Sequence, residues 1–193
     1  MSIMEIIKVP NPFLKITAKL VVDVNKNILT ILDDMLETMY HANGIGLAAT
    51  QISIDKRLIV MDCGKNNFDP KDISEEEYNE KIKSKKLEPF PIKMINPEII
   101  SFGKNIEERE EGCLSIPGYN ANVKRPSSIK VNYTDENKKN KTLEANGLLA
   151  TCIQHEIDHL NGILFIDHIS KLKREIILKK AIKEYTKNYK HEE

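Results

Sequence analysis

The chain has 193 residues, of which 40% are apolar and 30% are charged, and it contains no Trp. Lys and Arg together number 29, as do Asp and Glu, so the formal net charge is zero. A neutral chain has no global electrostatic attraction for DNA, other nucleic acids or a membrane surface, so any partner must be recognised at a defined site. The length and apolar content predict one globular domain over residues 1–193 with a substantial core.

The N-terminal sequence and the cysteines both predict a cytoplasmic location. Residues 1–13 (MSIMEIIKVPNPF) lack the basic stretch and long apolar segment that secretory leaders carry. No segment approaches the roughly 20 apolar residues that a membrane-spanning helix needs. The odd number of cysteines is a poor basis for disulfide pairing and agrees with a reducing compartment. The cysteines are Cys63, Cys113 and Cys152.

The first predicted element is a helix that Asp23 caps, followed by a Gly- and Ala-rich stretch. Apolar residues recur at helical spacing, and Asn43-Gly44 supplies a stop signal. These apolar residues are Ile28, Ile31, Leu32, Met35 and Met39. Residues 44–51 (GIGLAATQ) then carry little side chain that would obstruct a closely approaching backbone. This stretch predicts a turn, an edge strand beside a ligand, or plain packing.

Five segments have the composition of β-strands, and Gly, Pro and Asp-Glu-Asn signals between the last three are typical of turns. The segments are residues 57–63, 92–100, 105–115, 128–134 and 141–146. Pro97 places the second strand near a sheet edge or a bulge. Residues 64–90 are rich in Lys, Asn and Glu without a core pattern, so we expect a solvated insert, partly helical around residues 75–83.

Two further helices complete the predicted fold. Gly147 precedes the apolar-rich sequence LLATCIQHEIDHL, and residues 169–189 form a charged amphipathic helix followed by a tail to residue 193. The side chains expected to be buried on this last helix include Leu172, Ile176, Ala181 and Tyr185. The predicted fold class is α+β, with largely antiparallel sheets packed around a central helix, an N-terminal helix and a C-terminal amphipathic helix.

The central helix carries the sequence HEIDH, an HExxH motif, at residues 155–159. Four residues advance a helix by about 400°, so His155 and His159 lie on one face, where two imidazoles can hold one metal ion. Glu156 points about 100° away, so it can lie beside the metal and accept a proton from a metal-bound water. The structural alternative is a pair of histidines that satisfy core polar groups, with Glu156 paired to a lysine.

A catalytic metal site typically has three protein ligands and one open position, so a third ligand is needed. Cys152 lies about one turn short of a metal shared by both histidines, and its apolar surroundings suit a pocket wall or a core thiol. Cys63 ends an apolar strand, where packing is the simpler expectation, although the sequence leaves it open as a ligand. Cys113, in EGCLSIPG beside an acidic run, has the context of a functional position, and with two histidines it would suit zinc or ferrous iron.

Two other classes of protein fit the motif. One is a zinc peptidase whose third ligand is a downstream acidic residue such as Glu175, in which Cys113 has no task. The other is a structural metal module, in which four protein ligands close the site and folding depends on the metal. A glutamate that does not ligate, placed next to the first histidine, fits catalysis better than it fits a structural site.

Three segments together resemble the signature motifs of the peptide deformylase family. They are GIGLAATQ at residues 44–51, EGCLS at 111–115 and QHEIDHLNG at 154–162, in this order and with fitting separations. The sequence VPNPFL at 9–14 is similar to the start of that family, so the resemblance covers almost the whole chain. The insert at 64–90 departs from the family, because it is longer than the common hairpin connection.

The resemblance implies hydrolysis of the N-terminal formyl group of formyl-methionyl nascent polypeptides, with formate as a product. It implies that Glu156 is the general base and acid, and that a metal-bound water is the nucleophile. It also implies that the Gln51 side-chain amide and the Leu114 backbone N–H stabilise the developing oxyanion. The metal ligands that it implies are Cys113, His155 and His159.

The substrate sets the expected shape of the site. A formyl group carries only hydrogen beyond its carbonyl, so a site closed by the backbone around Gly44, Ile45 and Gly46 can admit it and exclude an acetyl group. The resemblance implies that the nascent peptide binds as an added strand against the main chain near Ile45 and Gly112. Candidates for the methionine pocket, each with core packing as the alternative, are Ile45, Leu148, Thr151 and Cys152.

The resemblance also implies one Fe2+ per chain inside a bacterial cytoplasm, with Zn2+, Ni2+ or Co2+ able to occupy the same ligands. We expect a monomer. The C-terminal helix carries a run of basic residues, which is usually a solvated helix face and, as the alternative, would make transient contact with ribosomal RNA near the peptide exit. These residues are Lys171, Lys173, Arg174, Lys179, Lys180, Lys183, Lys187 and Lys190.

Overall fold

The computed structural model describes residues 2–64 and 89–189, with side chains up to residue 185. Within these residues the helices are α1 (Lys26–His41), α2 (Gly147–Leu160) and α3 (Lys171–Tyr189). The strands are β1 (Gly46–Ala48), β2 (Leu58–Met61), β3 (Ile92–Phe102), β4 (Ile106–Cys113), β5 (Ile116–Pro126), β6 (Ser128–Thr134) and β7 (Asn140–Asn146). Short 3₁₀ turns lie at Pro12–Lys15, Ala49–Ile52 and Phe165–His168.

The strands form two antiparallel units. Five of them make a sheet in the order β1-β2-β3-β6-β7, and β4 pairs with β5 in a separate two-stranded ribbon. Strand β1 lies at the edge of the sheet, so one side of its backbone is available to an added strand. The edge strand was one of the alternatives predicted for the Gly- and Ala-rich stretch, and it is confirmed.

The five-stranded sheet has one long helix on each face. Along β2, Ile59 and Met61 pack in the same apolar cluster as α2. Leu58 and Val60 pack in the cluster that contains the apolar face of α1. Because successive side chains of a strand point to opposite faces, the sheet is enclosed between α1 and α2. This arrangement confirms the predicted α+β class with α2 at its centre.

A bulge interrupts β3 where the sequence places a proline. The register between β3 and β6 shifts between Ile95 and Glu98, and Asn96 adopts a positive φ of 53°. The Asn96 side chain accepts a hydrogen bond from Val21 N at 2.8 Å and donates one to Val21 O at 2.9 Å. Strand β3 lies between β2 and β6, so the bulge predicted from Pro97 is confirmed and the edge position is wrong.

The predicted start of α1 and the predicted non-strand connection between residues 115 and 128 are both wrong. Asn25 caps α1, since its side chain accepts a hydrogen bond from Ile28 N, whereas Asp23 lies two residues too early. Residues 116–126 form strand β5, although Pro117, Gly118 and the polar residues that follow resemble a turn. The strand forms because it pairs with β4 along the whole ribbon.

The predicted buried face of α3 is also partly wrong. Leu172 and Ile176 are 68% and 46% exposed. The helix instead packs through Ile177, Leu178 and the buried Ala181. The docking surface for these side chains is the 3₁₀ turn Phe165–His168 and strand β5, which select a neighbouring face of the helix.

Two predictions concern parts of the chain that the structure leaves aside. The solvated insert at 64–90 falls almost wholly on residues 65–88, and the tail beyond 189 follows α3; both lie outside the described residues. The assignment of residues 1–193 to one domain stays a prediction. Among the described residues, no helix combines the length and the apolar content that crossing a membrane requires.

Candidate active site

Helix α2 carries the HExxH motif into the interior. Gly147 has a φ of 55°, a left-handed conformation that favours glycine, and here the chain turns from β7 into the helix. Ile153, Ile157 and Leu160 anchor one side of α2 in the apolar cluster on the sheet. The opposite side of the helix therefore faces the space between the sheet and the β4–β5 ribbon.

The three motif side chains are all buried. His155, Glu156 and His159 are 8%, 4% and 1% exposed. The two imidazole rings have centroids 5.0 Å apart, as expected for residues one helical turn apart. The ring of Phe165 also stacks on the His155 ring, with the two centroids 6.3 Å apart.

Cys113 reaches the two histidines from the ribbon. It is the last residue of β4, where the register with β5 shifts and Cys113 pairs with Ile116 across a tight turn. Its Sγ lies 3.1 Å from His159 Nε2 and 3.4 Å from the Ser115 backbone nitrogen. The bulge at Gly112 and Cys113 thus turns the thiol toward α2.

The structure brings together the three residues that the family motifs imply as metal ligands. One ligand atom from each of Cys113, His155 and His159 lies within 4.8 Å of the others. In the part of the chain that the structure describes, this group has three members, and a three-ligand set leaves a coordination position open for chemistry. Glu175 is exposed on α3, 3.9 Å from Lys171 Nζ, so the peptidase alternative lacks its third ligand.

A buried ion-pair network holds the His155 side chain through its Nδ1 atom. Glu111 Oε2 lies 2.8 Å from His155 Nδ1, and Arg125 donates hydrogen bonds to Glu111 from Nε and Nη2 at 2.6 and 3.0 Å. Arg125 Nη1 also donates to Asp158 Oδ2 at 2.8 Å, and His168 Nε2 lies 2.7 Å from the same oxygen. Such partners fix the tautomer and orientation of a ligating imidazole. Because Glu111 occupies Nδ1, the Nε2 atom of His155 is directed to the centre.

Sequence reasoning missed this network. It counted Glu111 only as part of the acidic run beside Cys113, and it assigned no role to Arg125 or Asp158. A signal was nevertheless present, because Glu111 and Cys113 are two residues apart on one strand and therefore share a face. The partner Arg125 lies on β5, which the sequence analysis did not predict as a strand.

The electrostatic surroundings of the site favour positive charge on His155 and oppose it on His159. Burial opposes protonation of His155, but the Cys113 side chain, Glu111 and Glu156 outweigh it and raise the His155 pKa well above its ordinary value. Burial raises the pKa of Glu111, yet its contacts with His155 and Arg125 hold it below the usual range. His159 has its pKa lowered well below normal by burial and by the charge of His155. A neutral imidazole, as the lowered pKa of His159 favours, is the form in which histidine can bind a metal ion.

Glu156 is a buried carboxylate placed at the cavity wall. Burial raises its pKa to about 7, with the charge of His155 acting in the opposite direction. Among the described residues, its Oε2 has no hydrogen-bond partner. A Cβ built on Gly46 would lie 2.3 Å from Glu156 Oε1 and 2.8 Å from Cys152 Sγ, so the missing side chain makes room for the carboxylate. These features match those of a group that exchanges protons near neutral pH.

Gln51 lies against the thiol, on the 3₁₀ turn that follows β1. Its Oε1 accepts a hydrogen bond from the Ala48 backbone N–H at 2.9 Å, which fixes the orientation of the amide. The Nε2 group then points to the centre, 3.1 Å from Ser115 Oγ and 3.5 Å from Cys113 Sγ. Both contacts place the N–H donors of the Gln51 amide beside the Cys113 thiol.

A cavity of about 430 Å³ opens onto this centre. Strand β1 forms one wall and the end of β4 the other, with α2 at the base. All of the predicted substrate-binding residues line it, together with Gln51, Cys113, Leu114, His155 and Glu156. These substrate residues are Gly44, Ile45, Gly46, Gly112, Leu148, Thr151 and Cys152. Ile45 is 46% exposed at the mouth, and Cys152 Sγ contacts Ile45 O at 3.6 Å from inside.

The profile of one protein family, described as polypeptide deformylase, matches residues 3–175. The chain belongs to this family. It is 48% identical to the peptide deformylase of Agrobacterium fabrum over 95% of this chain and 96% of the relative. It is 47% identical to the peptide deformylase of Methylocella silvestris, over 93% of this chain and 84% of the relative.

Solved deformylase structures share the fold. The crystal structure of peptide deformylase from Ehrlichia chaffeensis superposes with a TM-score of 0.81 and 38% identity, over 95% of this chain and 97% of that one. The same enzyme in complex with actinonin gives a TM-score of 0.80 over 95% and 98% of the two chains. These matches confirm the predicted deformylase family, its fold and its hydrolytic activity on formylated nascent peptides.

Proposed function

We propose that the cavity is the site at which the formyl group is hydrolysed from formyl-methionyl nascent polypeptides, with release of formate. The observation that carries this proposal is the convergence of the Cys113 thiol and the imidazoles of His155 and His159 beside the buried Glu156 carboxylate. Of these four side chains, all but His159 line the cavity. Cys113, His155 and His159 would hold one divalent metal ion through Sγ and one nitrogen of each imidazole. A bound divalent ion supplies Lewis-acid chemistry, because it lowers the pKa of a coordinated water and polarises a carbonyl oxygen.

Glu156 moves the proton in this proposal. Its Oε2 accepts a proton as water adds to the formyl carbon, and it returns the proton to the nitrogen of the departing methionine. A pKa of about 7 suits both steps, since the carboxyl group can take up and release a proton at the pH of the cytoplasm. The burial that raises this pKa also keeps bulk water away from the carboxylate.

Gln51 and Leu114 stabilise the charge that develops on the formyl oxygen. Gln51 Nε2 donates from a side chain already fixed by the Ala48 N–H, so no reorientation is needed during the reaction. Leu114 follows Cys113 directly and lines the cavity, and its backbone N–H is the second donor. One such donor is typically worth about 3 kcal/mol of transition-state stabilisation.

The peptide binds between the two cavity walls as an added strand. The backbone around Ile45 continues the free edge of β1, and Gly112 ends the regular part of β4. Main-chain hydrogen bonds to these two strands would hold a peptide of any sequence. The methionine side chain packs against Ile45, Leu148, Thr151 and Cys152. The backbone around Gly44, Ile45 and Gly46 closes the site, so a formyl hydrogen would fit where the methyl group of an acetyl substrate would clash.

The first experiment measures formate release from formyl-Met-Ala-Ser by anaerobically purified protein, with metal content determined on the same sample. We expect about one metal per chain. The variant Glu156→Gln should keep the metal and lose roughly 10²- to 10⁴-fold in kcat/KM, as removal of a general base does. Glu108→Gln, an exposed carboxylate of β4, is the control and should keep full activity. Metal binding without formate release by the wild type would overturn the proposal.

We infer that the ion in the cell is Fe2+, one per chain, and that Zn2+, Ni2+ or Co2+ can occupy the same ligands. The support is the mixed set of one thiolate and two imidazoles, which suits these ions. Ferrous iron and a thiolate both oxidise in air, so aerobic activity should decay faster in the iron-loaded enzyme than in the nickel-loaded one. Equal decay rates would count against the inference.

The C-terminal helix supports a further proposal, a transient contact with the ribosome by a monomeric enzyme of the bacterial cytoplasm. Its lysines Lys171, Lys173, Lys179, Lys180 and Lys183 are all exposed. Exposed basic side chains attract the phosphates of RNA with strong salt dependence. Cosedimentation with ribosomes at rising salt, with and without residues 171–193, tests this contact, and binding unchanged by the truncation would remove it. Gel filtration with light scattering tests the monomer.

A further inference from the structure

A second cavity adjoins the candidate active site. Its volume is about 580 Å³, and it shares Leu114 and Pro117 with the first cavity. Three segments form it, namely the N-terminal residues 3–8, the end of α1, and Tyr185 of α3. Leu114 stands at the junction, where a Cβ built on Gly44 would lie 2.8 Å from its Cδ1.

Both walls of the first cavity continue into the second. One wall passes along the chain from Gly44 and Asn43 to Ala42 and His41. The other passes from Cys113 through Leu114 to Pro117. A peptide held between β1 and β4 that leaves the metal site in this direction therefore runs along the second cavity.

The floor of the second cavity is held in place by hydrogen bonds to residues of the active site. Ile7 N donates to Gln51 O at 2.8 Å, and Val9 N donates to Ser115 O at 3.1 Å. Met4 N donates to Thr38 Oγ1 at 2.9 Å. These hydrogen bonds fix the N-terminal segment at both ends. The surface that it contributes to the second cavity therefore exists before any peptide binds.

This surface has an apolar part and a polar part of similar extent. Ile3 is 48% exposed, Met4 and Ile6 are half-buried, and Leu114 and Pro117 complete the apolar part. Ionisable side chains are contributed by Glu5, Lys8 and His41. An exposed apolar surface next to a binding cleft is typical of a site that receives part of the ligand.

We propose that the second cavity binds an apolar side chain from the fourth to sixth residues of the nascent polypeptide. This inference rests on the proposed function, because it extends the path of the same substrate. A cavity of about 430 Å³ is at the small end of ligand pockets and takes the first few residues. An extended chain advances by about 3.3 Å per residue, so later residues reach the second cavity. The site therefore favours substrates with an apolar residue shortly after the start.

The test compares three capped peptides that differ only after the third residue. They are formyl-Met-Ala-Ser amide, formyl-Met-Ala-Ser-Ala-Phe-Ala amide and formyl-Met-Ala-Ser-Gly-Ser-Gly amide. The measured quantity is the ratio of kcat/KM for each hexapeptide to kcat/KM for the tripeptide. We expect a ratio of about five for the Phe peptide, mostly through KM, as partial burial of an aromatic side chain gives. The Gly-Ser peptide should give a ratio of about one, since it offers no side chain to bury.

Matched variants locate the effect. Ile3→Glu places a charge in the second cavity, and Ile100→Glu alters an isoleucine of similar exposure, 46%, on β3. The Phe-peptide ratio should fall to about one in Ile3→Glu and stay about fivefold in Ile100→Glu. A wild-type ratio of one, or an equal ratio in both variants, would overturn this inference while tripeptide hydrolysis leaves the proposed function intact. Failure to hydrolyse any of the peptides would overturn both.

Discussion

At Gly46 the backbone lies close to the side chain of the proposed proton carrier, Glu156. Replacing it by Ala would add a Cβ 2.3 Å from Glu156 Oε1, so the carboxylate must move. A displacement of this kind at the reacting centre costs about 10²-fold in rate. We therefore expect Gly46→Ala to lower kcat/KM for formyl-Met-Ala-Ser by about that factor, measured as initial rates of formate release.

Gly103→Ala is the matched control for crowding. A Cβ on Gly103 would lie 2.1 Å from Ser128 Oγ, on the far part of the sheet and outside the residues that line the cavity. Both variants should lose some free energy of unfolding, but only Gly46→Ala should lose activity. Equal loss of activity in the two variants would show that the effect is general destabilisation.

Glu111 is the second residue at which a substitution tests a role in the site. That role is to hold the ligating side chain His155 in place, without a direct part in the reaction. It is buried and bonded to Arg125 and His155. Glu111→Gln leaves the Arg125 guanidinium without its main counter-charge, which lowers the free energy of unfolding by about 3 kcal/mol. Loss of the partner on His155 Nδ1 should weaken metal binding about 10- to 100-fold.

Urea unfolding and competition with a chelator measure the two effects. Metal affinity equal to that of wild type would contradict the supporting role, and Glu108→Gln on the same strand should change neither quantity.

Among single residues, the sequence predicted those whose position in the site depends only on the geometry of one helix. His155, Glu156 and His159 follow from helical spacing alone, since an i, i+4 pair needs no tertiary information. Cys113 and Gln51 needed the family motifs, because they reach the centre from other elements. Arg125 carried no local signal, since its role depends on the pairing of β4 with β5 and on the packing of α2 against the ribbon.

At the scale of elements, Asp167 joins three parts of the fold. Its Oδ2 lies 2.6 Å from Lys15 Nζ and accepts a hydrogen bond from Leu164 N at 2.8 Å, and its Oδ1 lies 3.3 Å from Arg174 Nη1. Burial raises the pKa of Asp167, but these partners outweigh it and hold the pKa below its ordinary value. The carboxylate therefore links the turn Pro12–Lys15, the turn Phe165–His168 and the start of α3.

A lowered pKa in the folded state gives stability that is present above the unfolded-state pKa of about 4 and is lost as the pH falls through the folded-state pKa. We expect Asp167→Asn to lower the free energy of unfolding by about 1 kcal/mol at pH 7, with the difference from wild type shrinking toward pH 3. Urea unfolding at both pH values measures it. Asp23→Asn, in the loop before α1, should behave as wild type. A difference that stays constant with pH would show that the charge is not responsible.

The sequence predicted an element correctly where its hydrophobic pattern reflects the burial of its side chains in the sheet. The apolar β2 and the alternating β6 match the predicted strands because the neighbouring helices and strands enforce their periodicity. Strand β5 was missed because the alternation of burial along residues 119–125 is not matched by an alternation of strongly apolar side chains. Its inward positions are Tyr119, Ala121, Val123 and Arg125, and the first two are only half-buried. The docked face of α3 was misassigned because a helix rich in lysine carries apolar residues on more than one side, and the turn Phe165–His168 selects among them.

At the scale of the whole molecule, the candidate site lies where three structural units meet. The proposed metal-binding atoms come from the ribbon and α2, and the proposed oxyanion donor Gln51 follows the edge strand of the sheet. The two apolar clusters on the faces of the sheet contain none of the three proposed metal ligands as members of their buried core. The fold therefore has a core that does not depend on the metal. A bound ion would add a link between the ribbon and α2 to those that Arg125 and Glu111 already make.

Metal removal should therefore lower the thermal stability of the protein without unfolding it at 25 °C. A ligand present at about 100 times its Kd stabilises the native state by about 2.7 kcal/mol, which corresponds to about 5 to 10 °C in Tm for a chain of this size. We expect a chelator to lower the Tm by this amount and to leave the far-ultraviolet circular dichroism at 25 °C unchanged. Adding back zinc or nickel should restore the Tm.

The cysteines supply the controls for this experiment. Cys113→Ala removes a proposed ligand, so its Tm should no longer respond to metal, whatever its starting value. Cys63→Ala alters a half-buried thiol that packs against the sheet, and it should keep the full metal-dependent shift. A metal-dependent shift that survives in Cys113→Ala would remove this thiol from the ligand set. Loss of helical signal at 25 °C on chelation would instead favour a structural metal module, because in such modules the binding free energy is the folding free energy.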